Sequence, residues 1–228
     1  MPEQSTSSFL KGFSFVMVML AVVLVVGFVQ VSVDQADERT ALQMILADLE
    51  TDSVEMTAVR NRGQATDERV LWILRNMDAP QDSIRPRLMN LFYYTSYQQV
   101  RTGYDNLLNA GRLTVITHPE LRQELVRYYE VTHPYMWEFY EMYMTVYREF
   151  KETTAPYLFM GAEREGEALR TSYTMEWVRP WSEMKSDPHF RYKLSEIGVG
   201  GSQFAFRLDS VLETNAELRA TIQAEMGM

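Results

Sequence analysis

The histidines are the first side chains to consider for chemistry, because imidazole binds metal ions and exchanges protons near neutral pH. His118, His133 and His189 each neighbour a proline, a position typical of the first turn of a helix. A metal site would need two histidines four residues apart on one helix, or a compact cluster with cysteine, and the chain has no cysteine. We therefore expect all of these histidines at the surface, with no metal and no cofactor.

A glycine-rich run and a pair of glutamates are the next candidates for chemistry. Residues 198–202, Gly-Val-Gly-Gly-Ser, could offer backbone amides to a phosphate, but they lack the Gly-Lys-Ser/Thr of a P-loop and follow no predicted strand. We interpret them as a loop between helices, in which Ser202 caps the last helix. Glu138 and Glu141 share a helix face, and carboxylates on an acidic helical protein are expected to face solvent. No catalytic residue is predicted.

Aromatic residues and methionine are abundant, with 13 Tyr, 4 Trp and 15 Met in the chain. Tyr and Trp are enriched at protein contacts and membrane boundaries, and Met adapts to irregular surfaces. Most of these side chains are expected in the core. The run Tyr157-Leu158-Phe159-Met160 lies between a proline and a glycine, outside any clear helix. It is predicted to be an exposed apolar anchor that contacts a partner protein.

The elements that would position these residues are helices. Apolar residues recur at helical spacing after residue 34, and the first Gly or Pro beyond it is Gly63, which is predicted to end an acidic helical stalk over residues 34–63. The remainder, residues 64–228, is predicted to form a bundle of about six helices without a persuasive strand, an all-α fold. Further helices are predicted from about residue 66 and over residues 135–151, 165–178 and 202–225.

Leu42, Leu49 and Met56 in this stalk are spaced seven residues apart. That spacing could form a coiled-coil seam joining two copies of the chain, and so a homo-oligomer. The alternative is that the same side chains pack against later helices of their own chain. The alternative is favoured, because coiled coils usually sustain their heptads over at least three or four repeats.

An uncharged run over residues 12–33 dominates the start of the chain. At the rise of an α-helix it reaches about 33 Å, which is enough to span a lipid bilayer. A cleaved signal peptide is the alternative. The apolar core of a signal peptide is shorter, roughly 7 to 15 residues, and ends in a small-x-small site, whereas this run leads into Val31-Ser32-Val33-Asp34. We therefore predict a retained transmembrane helix.

The orientation of this segment follows from the basic residues near its ends. Lys11 and the free amino group precede it, and Arg39 follows it, which favours an N-terminus inside the cell. In the inner membrane of a bacterium, residues 1–11 would be a cytoplasmic tail and the helical domain would be periplasmic. The net charge of −9 disfavours nucleic acid as a partner.

A helix-turn-helix is the most specific local signal in the chain. A helix over about residues 104–110 is predicted to end at Gly111 in the left-handed conformation. Thr117 and Glu120 then form the capping box of the next helix. The stretch carries the pattern Tyr104-Asp105-x-Leu107-x-x-Ala110-Gly111-x-Leu113-x-x-Ile116, followed by Leu121-Arg122-x-x-Leu125-x-x-Tyr128-Tyr129.

This pattern resembles that of an uncharacterised family of bacterial single-pass membrane proteins with a short tail, one anchor and an exported all-helical domain. The resemblance implies the same topology over most of this chain. It implies no activity, no cofactor and no catalytic residue.

These features together predict a non-catalytic accessory or scaffolding subunit of a larger integral-membrane complex. Its partners would be the lipid bilayer and other integral-membrane subunits, bound through the anchor and the exported domain. By analogy alone, an energy-transducing assembly such as a photosynthetic or respiratory complex is the expected host. A membrane-anchored ligand-binding or sensor domain is the second hypothesis, and a membrane-tethered enzyme is the third.

Overall fold

The computed structural model describes residues 35–93, 97–161 and 174–227 with their side chains, and residues 5–34, 162–164 and 171–173 by backbone alone. The predicted membrane segment, residues 12–33, lies outside the residues with described side chains. Among the described residues, no helix is both long enough and apolar enough to cross a lipid bilayer.

The chain folds mainly into helices, joined by one short hairpin. The helices are α1 (Ser5–Arg75), α2 (Gln81–Asn90), α3 (Thr102–Asn109), α4 (Pro119–Arg127), α5 (His133–Thr154), α6 (Trp181–Ser186) and α7 (Pro188–Glu225). A 3-10 turn (Leu113–Val115) precedes α4, and a π-helical turn (Tyr128–Thr132) joins α4 to α5. The strands are β1 (Leu158–Arg164) and β2 (Thr171–Trp177). The all-α prediction is therefore confirmed in its broad form.

The hairpin is the exception to that class. Its strands are antiparallel, with Leu158 paired to Trp177 at one end and Arg164 to Thr171 at the other. The predicted helix over residues 165–178 is wrong where the chain is described, because residues 171–177 form β2. This segment, Thr-Ser-Tyr-Thr-Met-Glu-Trp, is rich in the β-branched and aromatic residues that favour strands.

Helix α1 continues through Gly63 to Arg75, so the predicted helix end at Gly63 and the predicted new start at residue 66 are wrong. Gly63 serves a helix crossing instead. A Cβ atom on Gly63 would lie 2.7 Å from the carbonyl oxygen of Gly201 in α7, and a Cβ atom on Gly201 would lie 2.9 Å from that of Gly63. The paired glycines let the backbones of α1 and α7 touch.

Helix α7 is likewise longer than predicted. Residues 198–202 lie inside it, so the interpretation of this run as a loop capped by Ser202 is wrong. The N-cap is Asp187, whose carboxylate accepts a hydrogen bond of 2.8 Å from the His189 amide. Close packing against α1, rather than a turn, explains why this stretch is rich in glycine.

Two clusters of buried apolar side chains form the core. The first combines α1 with α3, α4, the start of α5 and the second half of α7. Leu42, Leu49 and Met56 belong to it and are at most 3% exposed. The segment predicted as a separate stalk thus packs into the core, and its heptad residues contact their own chain, as the favoured alternative predicted.

The second cluster lies towards the other end of α1 and α7 and includes α2, the end of α5, the hairpin and α6. Its aromatic rings pack in a row: the Phe150 ring lies tilted with its centre 6.4 Å from that of Phe190, and the Phe190 ring meets Trp181 edge-to-face with centres 5.8 Å apart. The Trp181 indole also donates a hydrogen bond of 3.0 Å to the Met77 carbonyl. The hairpin is therefore anchored beside a packed aromatic layer.

The predicted turn at Gly111 is confirmed, because this residue has a φ of 66°. The Gly111 amide donates to the Leu108 carbonyl at 3.0 Å, and the Arg112 amide donates to the Leu107 carbonyl at 2.8 Å. This pair of hydrogen bonds is a Schellman motif, which satisfies the last carbonyls of α3.

The predicted capping box at the start of α4 is wrong. Because a residue before proline is held extended, His118 cannot be the first helical residue and is the N-cap itself. Its Nδ1 accepts a hydrogen bond of 3.4 Å from the Leu121 amide. Thr117 instead donates from its amide and hydroxyl to Glu38 of α1, at 2.6 and 2.9 Å.

Candidate functional site

A buried polar cluster surrounds Asp52, a residue of α1 with no exposed surface. Its Oδ1 accepts a hydrogen bond of 2.7 Å from the Tyr97 hydroxyl, and its Oδ2 accepts one of 2.8 Å from the Tyr128 hydroxyl. His133 Nε2 lies 3.3 Å from Oδ2 and also hydrogen-bonds the Tyr97 hydroxyl. One carboxylate thus joins α1, the segment before α3, the π-helical turn and the start of α5. We call these four residues, with Asn215, the Asp52 cluster.

Helix α7 joins this cluster through Asn215. The Asn215 side-chain amide donates to the Tyr128 hydroxyl and to the Leu49 carbonyl, each at 3.0 Å. One turn before Asp52, the nearly buried Asp48 accepts a hydrogen bond of 2.5 Å from the Gly103 amide. A Cβ atom on Gly103 would lie 2.9 Å from the α1 backbone, so glycine is needed for this approach.

Burial sets the protonation of the tyrosines in the cluster. It raises the pKa of Tyr97 and of Tyr128 well above the usual range, and the negative charge of Asp52 raises both further. Both hydroxyls therefore remain protonated and donate to Asp52. Burial also raises the pKa of Asp48, an effect partly offset by hydrogen bonds from the amides of Gly103 and Tyr104.

Carboxylate, imidazole and phenol are the residue types of a proton-transfer site. In this cluster, however, Asp52, Tyr97, Tyr128 and His133 are each at most 4% exposed, which places them out of reach of a substrate. A buried carboxylate is expensive unless donors satisfy it, and here hydroxyls on two elements do so. We interpret the Asp52 cluster as a structural element that holds five segments of the fold together, including α7 through Asn215.

The histidine prediction is partly wrong. His118 and His189 are exposed, as predicted, but His133 is only 2% exposed and lies in the Asp52 cluster. The one local sequence feature that singles out His133 is the Glu-x-x-His spacing of Glu130-Val131-Thr132-His133, which di-metal bundles use to bind metal. Here the two side chains diverge, since Glu130 accepts a hydrogen bond of 2.7 Å from Arg101. Among the described residues, no group of three or more His, Asp or Glu side chains could hold a metal ion.

The predicted apolar anchor, Tyr157 to Met160, begins at the turn before β1 and alternates in exposure. Phe159 is 57% exposed, whereas Leu158 is buried in the second core cluster. Tyr157 and Met160 are half-buried against that cluster, and the Tyr157 hydroxyl donates to Asp187 at 2.9 Å. Neighbouring side chains of a strand point to opposite faces, so the run presents one exposed ring instead of four anchor residues.

A larger apolar surface, not singled out from the sequence, lies between α5 and α7. It is a groove of about 300 Å³, lined by Phe139, Met142, Tyr143, Val146, Glu196, Val199, Gly200, Gln203 and Phe204. We call it the α5/α7 groove. Met142 and Val199 on its walls are 56% and 52% exposed. A Cβ atom on Gly200 would lie 3.1 Å from the Tyr143 ring, so glycine lets this ring pack closely against α7.

The two ends of the α5/α7 groove carry opposite charge. At one end the Arg207 guanidinium lies 4.6 Å from the centre of the Phe139 ring. At the other, Lys193 Nζ lies 2.5 Å from Glu149 and 2.7 Å from Glu196. The hydrogen bonds that Lys193 donates to Glu149 and Glu196 raise the pKa of its ammonium group.

The sequence did contain a signal for this groove. Met136, Tyr140 and Tyr147 form the buried face of α5. Val146 lies on a neighbouring face and is partly buried against the second core cluster, whereas Met142 on the same face is 56% exposed, so this helix carries apolar side chains beyond its fully buried face. Exposed apolar side chains beside the buried face of a helix indicate a surface that binds another protein.

Comparisons with protein-family models, with curated proteins and with solved structures give no match for this chain. The resemblance of residues 104–129 to a family of bacterial single-pass membrane proteins therefore stays a prediction. The function is argued from the geometry of the described residues.

Proposed function

We propose that this protein is a non-catalytic accessory subunit that binds other protein subunits through the apolar surface of its helical domain. The observation that carries the proposal is the α5/α7 groove, whose walls leave Met142 and Val199 more than half exposed. Transfer of such side chains from water into a protein contact is favourable, by about 25 cal/mol for each Å² of apolar area. Phe159 on the hairpin adds a second, smaller apolar contact.

The Asp52 cluster supports this proposal by holding the groove rigid. His133, the first residue of α5, contacts Asp52 of α1, and Asn215 of α7 donates to the same cluster. The two helices that form the groove are therefore tied to a common point. A preformed surface loses less conformational entropy on binding than a flexible one, which favours recognition.

The proposal places the protein in the inner membrane of a bacterium. Residues 12–33 would be the anchor, residues 1–11 a cytoplasmic tail, and the helical domain would lie in the periplasm. The partners would be integral-membrane subunits of a larger complex. By analogy alone, this complex is a photosynthetic or respiratory assembly, because such assemblies recruit single-pass subunits.

Purification from gently solubilised native membranes tests this proposal. With an affinity tag after Met228, the protein should elute in a defined complex with integral-membrane proteins in fixed stoichiometry, measured by quantitative mass spectrometry. The same chain without its residues 1–33 is the control, since the proposal predicts weaker retention of the partner when the anchor is lost. A tagged protein that elutes alone would contradict the proposed function.

A further inference from the structure

We infer that the α5/α7 groove is the receptor for one amphipathic helix of the partner, which lies with its N-terminus beside Glu149 and Glu196 and its C-terminus beside Arg207. This inference rests on the proposed function. It adds the class of the bound segment, its length and its direction.

The groove is a seam between two antiparallel helices. The Phe150 ring of α5 lies 6.4 Å from Phe190 of α7. Earlier in α5, the Tyr143 ring lies 5.7 Å from Phe204, which comes later in α7. Packed helices of this kind have axes about 8 to 10 Å apart, which leaves a concave surface between their cylinders. Gly200 lines this surface without adding a side chain to it.

The groove offers no free backbone amides or carbonyls to a bound segment, and for this reason we infer that the segment is a helix. Both walls are helices, whose backbone amides and carbonyls bond within the helix, so an added strand would find no sheet edge. A segment buried against these apolar side chains must therefore satisfy its own backbone polar groups. An α-helix does so.

The length of the groove sets the length of that helix. From Glu196 to Arg207, α7 rises about 16 Å, which corresponds to about three helical turns. A helix of this length presents apolar anchors at positions i, i+3 or i+4, and i+7. The apolar surface around Val199 and Phe204, near the middle of the groove, suits an apolar side chain as the central anchor.

The charges at the ends of the groove set the direction. A helix carries partial positive charge at its N-terminus and partial negative charge at its C-terminus. Glu149 and Glu196 outnumber the ammonium of Lys193 at one end, and they can accept hydrogen bonds from the free amides of the partner's first turn. Arg207 at the other end complements the partner's last carbonyls.

Two charge-introducing variants test the location. Met142→Lys and Val199→Lys each place an ammonium in the groove at an exposed position, so the fold is preserved. Each should lower the amount of co-purified partner at least tenfold, with an unchanged far-UV spectrum. Val54→Lys is the matched control, because Val54 is 71% exposed on α1 and lies away from the groove; it should retain the partner.

Photo-crosslinking in the native complex tests the class and the direction. A benzoylphenylalanine at position 146 or at position 203 samples the two ends of the groove. Crosslinks from both positions should map to one helical segment of the partner, and those from position 203 should lie roughly seven residues nearer its C-terminus.

Four results would overturn the inference. Crosslinks in the reverse order, crosslinks to a strand or loop, and crosslinks to a second copy of this chain each contradict it. So does a partner that remains bound to both lysine variants, which would leave the proposed function intact while excluding the groove. If the wild-type protein co-purifies with no partner, the proposed function itself fails.

Discussion

The Asp52 cluster carries reactive residue types and is buried, whereas the α5/α7 groove carries unreactive side chains and is open to solvent. Asp52 and Tyr128 have no exposed surface, while Met142 of the groove is 56% exposed. Residue type alone would make the cluster the functional site, because it combines a carboxylate, a histidine and tyrosines. Accessibility reverses that ranking, since only an accessible surface can meet a partner.

This difference assigns structural stability and partner recognition to two separate regions of the helical domain. The Asp52 cluster joins α1, α5 and α7 and should govern stability, whereas the groove should govern recognition with little effect on stability. Variants in the cluster should therefore change the free energy of unfolding, and variants in the groove should change partner binding.

Loss of the carboxylate at the centre of the cluster should have the largest effect. Asp52→Ala leaves the buried hydroxyls of Tyr97 and Tyr128 without their acceptor. The free energy of unfolding should fall by about 2 to 6 kcal/mol, because each buried hydroxyl left without an acceptor costs about 1 to 3 kcal/mol. Urea unfolding measures it, and Glu50→Ala, at an exposed position on the same helix, is the control. An unfolding curve that overlays that of the wild type would show that the cluster does not hold these segments of the fold together.

The helix crossing should be the next most sensitive point. In Gly201→Ala the new Cβ atom would lie 2.9 Å from the carbonyl oxygen of Gly63, so α1 and α7 must separate. We expect a loss of about 1 to 3 kcal/mol in the free energy of unfolding, as for other overpacked interiors. The adjacent Ser202→Ala, at an exposed helical position, should change it little. Equal stability of the two variants would contradict the close crossing.

A smaller loss is expected at the confirmed turn. Gly111 has a φ of +66° and open space around it, so a substitution there meets backbone strain and no clash. Gly111→Val should lower the free energy of unfolding by about 1 to 2 kcal/mol. Gly111→Asn should lose less, because Asn tolerates the left-handed conformation better. Melting curves compare the two, and identical curves would exclude the strain.

The smallest effect should be a gain in stability that depends on pH. Burial raises the pKa of Asp48 above its ordinary value of 3.8, so the folded state resists its ionisation. The stability associated with protonated Asp48 is present at low pH and is lost as pH rises through the folded pKa. Asp48→Asn keeps an acceptor for the Gly103 amide and does not titrate. Its melting temperature should exceed that of the wild type more at pH 7 than at pH 4. A difference that shrinks with rising pH would contradict this sign.

The sequence predicts those parts of the fold that depend on local rules. A glycine at the end of an apolar stripe predicts the end of α3 at Gly111, and the helical periodicity of residues 135–151 predicts α5. Gly63 and Gly201 were misassigned because a helix terminator and a helix crossing both select glycine. Only the tertiary contact between α1 and α7 distinguishes the two.

The sites were harder to predict than the helices, for the same physical reason. His133 neighbours Asp52 only because α5 begins beside α1, a contact between residues 81 positions apart that no local spacing encodes. The groove depends on the pairing of α5 with α7. In the run from Tyr157 to Met160, the predicted exposure holds for Phe159 alone, because the strand turns Leu158 into the core.

Oxidative footprinting of methionines compares the groove with another surface of the same molecule, because Met142 and Met44 are both exposed. Met142 lies in the α5/α7 groove and is 56% exposed, whereas Met44 lies on α1 outside the groove and is 38% exposed. Each should be oxidised readily in the isolated protein. In native membranes, we expect Met142 to be protected while Met44 is oxidised at an unchanged rate. Equal oxidation of Met142 in native membranes and in the isolated protein would contradict the assignment of the groove as the partner-binding surface.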